Sequence, residues 1–247
     1  MRKNSTLMKK HNLTKWSAKA GILAVIVAAT AATANGVVYV DDFEGGANAS
    51  GWNWVFATST VTPAGGNPDG YLDGDQFQGF NTPQVETTAG AVTPFHGDYR
   101  TLQVTQISFD TNMFSNQFGV DLAGYGFTGS LTLRDNDTGD EATYSINDPA
   151  IGNPGGGWVN AVVPIPSQDA LPGAGWTVLG DWNNVIQGVD EVNFDTFDPY
   201  SGFTSIGLTA HMGVDNMTIN YVPEPGSLAL LGLGGFALVR RRRSVVW

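Results

Sequence analysis

The stretch "GSLTLRDNDTGDEATYSI" (Gly129–Ile146) decides the fold class. Short alternating segments flank a cluster of Asp, Asn, Thr and Gly. Strand-forming residues on both sides of such a cluster predict a β-hairpin: a strand over 130–134, a turn at Asn136–Gly139, and a return over 141–146. The same pattern extends outward. "LQVTQISFD" (102–110) places Leu102 and Val104 in one phase and Ile107 and Phe109 in the other. The slip near Thr105 predicts a bulge. Segments 158–165, 189–197, 204–210 and 214–222 continue the series. Turn signals separate them at Asn153–Gly157, Pro172-Gly173 and Pro199. Only 180–192 suggests helix, and then a single short turn.

Composition agrees. The 247 residues include 32 Gly and 12 Pro, and 42% are hydrophobic, enough for a packed core built from strands and turns. No internal repeat has a fixed period, which argues against propellers and solenoids. Eight or more strands in a body of this size predict an all-β fold: a two-sheet antiparallel β-sandwich of jelly-roll type.

Charge divides the chain into three parts. Over residues 36–222 there are 22 acids and only two bases, Arg100 and Arg134. A body this acidic repels nucleic acid and anionic membrane surfaces, so no nucleic-acid partner is expected. The other basic residues lie at the two ends. There is no cysteine, hence neither disulfides nor a thiol nucleophile.

The N-terminal end is basic, then apolar over Ala20–Ala32, then Ala32-Thr33-Ala34. That order predicts a signal peptide over 1–34, cut by signal peptidase after Ala34. At the other end, Gly226–Val239 is an uncharged run of 14 residues. As an apolar helix it would span about 21 Å, short of a roughly 30 Å hydrocarbon core. Arg240, Arg241, Arg242 and Arg243 follow at once and would stay cytoplasmic.

With Pro223, Glu224 and Pro225 before the apolar run, this tail resembles the bacterial PEP-CTERM sorting signal. The resemblance implies a transient inner-membrane anchor, cleavage by an exosortase at or near Pro-Glu-Pro, and release to the cell surface or extracellular matrix of a Gram-negative-type bacterium. It also implies an exopolysaccharide setting. The domains expected are therefore 1–34, a sandwich over 35–222, and a sorting tail over 223–247.

The body carries a second, scattered resemblance. "VYVDDFEGGANASGW" (38–52), "GGNPDGYL" (65–72), "FNTP" (80–83) and "VDNMTI" (214–219) follow the order seen in laminin-B-like, galactose-binding-like and carbohydrate-binding sandwiches. That resemblance implies neighbouring first and last strands and a structural Ca²⁺ between them. The matching ligands are Glu44 and Asp215, with Asp42 or Asp98 as a further oxygen. Hard oxygen ligands favour Ca²⁺ over Zn²⁺. The turn holding Asp135, Asp137 and Asp140 departs from a calcium loop, and an Asp/Gly-rich hairpin explains it.

Sugar binding needs aromatic platforms. Trp52, Trp54, Trp158, Trp176 and Trp182 are available. Trp52 and Trp54 are two apart and share a face that suits packing. Trp176 and Trp182 flank a Gly-rich region and are the glycan-binding candidates. No H-E-x-x-H, G-x-S-x-G or P-loop is present. His96 and the acids of 191–198 suit turn and surface roles. The expected function is non-enzymatic: a surface or matrix protein binding polysaccharide. The alternative is a secreted glycan-active enzyme, a hydrolase or lyase.

Overall fold

A computed structural model describes residues 36–222 apart from 56, 76–83, 89, 117–127, 149, 152 and 199–209. The expected signal segment, the sorting tail with the apolar helix expected there, and most of the strand expected at 204–210 lie outside the described residues. Residues 36–222 form one compact unit.

Among the described residues, twelve strands make two antiparallel sheets of a sandwich. In the first, β3 (Thr58–Thr62), β4 (Tyr71–Asp75), β12 (Ala210–Tyr221), β6 (Val104–Asn116) and β9 (Val159–Pro164) lie side by side, and β1 (Val37–Asp41) also pairs with β12. In the second the order is β10 (Trp176–Leu179), β8 (Asp140–Ile146), β7 (Thr128–Asp135), β11 (Glu191–Asp198), β5 (Gln84–Thr87) and β2 (Trp52–Val55). The expected jelly-roll sandwich is thus the fold, with first and last strands paired from Val37 opposite Tyr221 to Asp41 opposite Met217.

The hairpin of the opening stretch forms as β7 and β8, with Asp135 opposite Asp140. The Asp135 carboxylate accepts the N–H groups of Asp137 and Thr138 and the Thr138 hydroxyl, which ties the turn without a metal. The bulge near Thr105 is also present. Gln106 faces Asn220 and Val104 faces Tyr221, leaving Thr105 as the extra residue. Just upstream the chain is helical rather than extended: α1 (Tyr99–Leu102) is capped by Asp98, whose Oδ1 accepts from Arg100 N and Thr101 N. The short helix expected within 180–192 is α2 (Trp182–Gln187), capped by Asp181.

Inward-facing residues of both sheets make the core. Phe109 of β6 meets Phe194 of β11 across it, with ring centroids 3.6 Å apart. Trp52 and Trp54 are both buried, as their shared face predicted. The Trp54 indole donates to Leu72 O, linking β2 to β4.

Candidate functional site

The centre of the site is an interruption in β12. β4 pairs with its first part, His211–Val214, and β1 with its last part, Met217–Tyr221. Between them, Asp215 and Asn216 have no strand neighbour on that side. The β6 register shifts here, and Asn216 takes a left-handed φ of 50°. The loop 65–70 fills the gap. Asn67 N donates to Asp215 Oδ2 at 2.6 Å, and the Asn216 side-chain amide donates to Asn67 O. Gly66 is required for this fit, because a Cβ there would lie 2.1 Å from Gly70 O.

Glu44 approaches the same loop from beyond β1, accepting from Gly70 N at 3.2 Å. The structure therefore brings Glu44 and Asp215 to one loop. It adds Asp110 of β6, which was not expected. Asp110 accepts from Asn160 at 2.7 Å, Asn67 at 3.0 Å and Asn216 at 2.8 Å. Burial pushes the pKa of Asp215 up to about 6. The N–H groups of Asn67 and Asn216 pull it back, while the charges of Asp110 and Glu44 push it further up.

The two other oxygens suggested for an ion are used elsewhere. Asp98 caps α1, and Asp42 accepts from Glu44 N at 3.2 Å. Among the described residues, no three His, Cys, Asp or Glu side chains are grouped as a metal centre. Glu44, Asp110 and Asp215 offer hard carboxylate oxygens rather than soft ligands, but they stand at the loop without forming such a group.

The Trp176 and Trp182 expectation is corrected. Trp176 is 9% exposed and Trp182 3%. Their ring centroids are 5.3 Å apart. Each indole N–H is spent on a carbonyl, Pro164 O for Trp176 and Asp169 O for Trp182. The glycine-rich segment between strands does not expose them, because α2 turns Trp182, Val185 and Ile186 into the core at helical spacing.

The aromatic platform lies instead on the outer face of the first sheet, next to the acidic network. Tyr71 of β4, Phe114 of β6 and Trp158, one residue before β9, meet there; Tyr71 is 7% exposed and backs the cluster, so the half-buried Phe114 and Trp158 offer the accessible ring surface. Tyr71 lies 5.4 Å from Phe114 and 5.5 Å from Trp158, and Phe114 lies 5.9 Å from Trp158. His211 adjoins Phe114 at 4.7 Å and holds Asp73 Oδ1 at 2.6 Å from its Nε2. The three rings close over Gly213 of β12, where a Cβ would meet all of them within 3.0 Å. Opposite Gly213 in the β6 register is Asn112, 8% exposed, whose Oδ1 has no hydrogen-bond partner among the described residues. The Trp158 indole donates to Gly65 O, so the loop that seals the acidic network also steadies the platform.

His96 is a turn residue, as expected. Its ring nitrogens bond Thr87 Oγ1 and Ala91 O, and burial lowers its pKa.

Comparison with known proteins bears first on the tail. Residues 222–243 match the PEP-CTERM protein-sorting motif. The chain carries a PEP-CTERM sorting signal. That makes it an exported protein, held at the membrane by its tail and then processed by an exosortase. Among the described residues no helix is long and apolar enough to cross a membrane.

For the body, a family 29 carbohydrate-binding module is similar at 10% identity and TM-score 0.42, covering 75% of this chain and 89% of that one. A point variant of such a module gives 9% identity and TM-score 0.42, over 75% and 93%. An exo-β-agarase structure gives 16% identity and TM-score 0.45, over 74% of this chain and 25% of that one. Likeness this loose says nothing about what this chain binds. No curated protein matches the sequence.

Proposed function

We propose that this is a non-catalytic surface or matrix protein of a Gram-negative-type bacterium, matured by signal peptidase and exosortase, whose sandwich binds exopolysaccharide. The observation that carries it is the platform of Tyr71, Phe114 and Trp158 on an outer sheet face, beside Asp73, Asn112 and His211. Sugar rings stack their C–H faces on aromatic side chains, and adjacent carboxylates and amides take their hydroxyls. Ca²⁺ belongs to the proposal as a structural ion. Glu44, Asp110 and Asp215 each bond the loop 65–70 beside the platform, and a divalent cation there would relieve the repulsion among them.

The test is a glycan-binding screen with parallel hydrolysis and lyase assays on the purified chain and on Trp158→Ala. Binding without turnover, lost in the variant, is the expected result. Turnover of any bound glycan would move the protein to the enzyme class.

A further inference from the structure

We propose that the outer face of the first sheet takes a cationic amino-sugar polysaccharide, a chain of de-N-acetylated hexosamine, in preference to neutral or anionic glycans. This rests on the polysaccharide-binding role proposed above and specifies its ligand.

Charge is the first support. The face around the platform carries Asp73 and Asp75 on β4, while Asp110 and Asp215, two residues further along β6 and β12, add negative charge from beneath the loop 65–70. Residues 36–222 hold only two bases to set against these acids, and both are committed elsewhere. Arg134 bonds Glu141 and Glu191 at the second sheet. Arg100 bonds Ser167 O, Asp169 O and Asn183. His211 on this face is held by Asp73. A uronate or sulfate ester would meet carboxylates with no cation to pair with. Like charges left unpaired at close range oppose binding strongly.

The second support is independent of net charge. Asn112 is more than nine-tenths buried beside the rings, yet its Oδ1 accepts nothing. An unused acceptor at such a depth calls for a donor. An ammonium supplies three N–H donors and no acceptor, so it suits the carboxylates of Asp73 and Asp75 directly, whereas Asn112 Oδ1 is itself closed to solvent and is reached only when the rings above it part. Cations also favour the faces of aromatic rings, which the platform offers.

The experiment uses the full-length chain in nonionic detergent at slightly acidic pH. Its probes are hexamers of glucosamine, N-acetylglucosamine and a uronic acid, followed by calorimetry. The glucosamine hexamer is expected to bind at least about tenfold tighter than the acetylated one, and to lose about tenfold in affinity as salt rises from ~0.05 to ~0.5 M. The uronate should not bind. Asp75→Asn, at an exposed strand position, should reduce the amine preference. Trp158→Ala and Phe114→Ala should each abolish both.

Equal affinity for the amine and acetylated hexamers, or tighter uronate binding, overturns the inference and leaves the platform standing. Amine binding that survives both aromatic variants is polyelectrolyte attraction to the acidic body and also overturns it. No binding by any hexamer removes the platform itself.

Discussion

Asp215 should make the sandwich more stable in acid than at neutral pH. Its carboxyl is fully buried, and burial with the nearby charges of Asp110 and Glu44 raises its pKa to about 6 against an ordinary 3.8. The folded state therefore holds this proton more tightly than the unfolded chain does. The resulting stabilisation is complete below the unfolded value and is lost as pH rises through the folded one. At ~1.4 kcal/mol per pH unit the full span is about 3 kcal/mol. Urea unfolding of the 36–222 fragment in EDTA, followed by tryptophan fluorescence from about pH 7.5 to about pH 4, measures it. Other groups titrate in the same window. Glu86, raised by burial, acts in the same direction, and His96, lowered by burial, acts in the opposite one. Subtracting the profile of Asp215→Asn cancels both. The Asn variant also loses one acceptor for Asn67 N or Asn216 N, but that offset does not change with pH. Between about pH 7.5 and about pH 4 the wild-type minus variant stability should therefore grow by about 2.5 kcal/mol, most of that span. A flat difference, or one that grows toward alkaline pH, refutes the buried-carboxylate account.

Other outcomes follow from the same structure. At neutral pH, Ca²⁺ should raise the melting temperature of this fragment more than equal Mg²⁺, by about 2.7 kcal/mol of stability at a hundredfold excess over Kd. Glu44→Ala and Asp215→Ala should each abolish that difference, and equal shifts with both ions would reduce it to screening. Trp176→Ala should cost about 3–5 kcal/mol in urea unfolding without selectively changing glycan affinity, because it empties a core position. Gly213→Ala should splay the three rings above it, costing about 1–3 kcal/mol and weakening glycan binding in calorimetry. In the native host, replacing Arg240–Arg243 with Ser or Pro223-Glu224-Pro225 with Ala should leave an unprocessed precursor on immunoblots; normal maturation of both would defeat the sorting role.

Much of the fold was legible because sheet formation writes itself into local alternation. The Gly129–Ile146 hairpin and the Thr105 bulge each leave a signal within a few residues. The α1 helix was missed because four residues are too few to show a 3.6 period, and the capping acid before them gives the only local cue. The site was legible only in part. Glu44 and Asp215 could be matched by resemblance to opposite ends of the domain. Asp110 could not, because its place beside Asp215 depends on the cross-strand register of a 13-residue strand. The platform failed to show for the same reason. Tyr71, Phe114 and Trp158 are far apart in sequence, and Trp158 looked no different from the buried tryptophans. Trp176 and Trp182 were misplaced because glycine content nearby was taken to mean exposure, while a short capped helix reverses which side faces the core.

The pairing of the domain's two ends leaves both of the cut sites proposed for this chain outside the sheet. Val37 lies opposite Tyr221, and Val222 N still bonds Gln103 O at 3.2 Å. The sorting motif begins at the next residue, Pro223. A cut at Pro-Glu-Pro removes no strand residue and no described cross-strand bond. At the other end, a cut after Ala34 leaves Asn35 and Gly36 before β1 begins. Proline donates no backbone N–H, so Pro223 and Pro225 also stop β12 from extending its ladder into the cleavage site. The last strand is thus fixed by β1 and β6 up to the residue before the motif, while the motif itself cannot join the sheet through its prolines. A folded sandwich and a cleavable tail coexist within three residues because their backbone requirements are opposite.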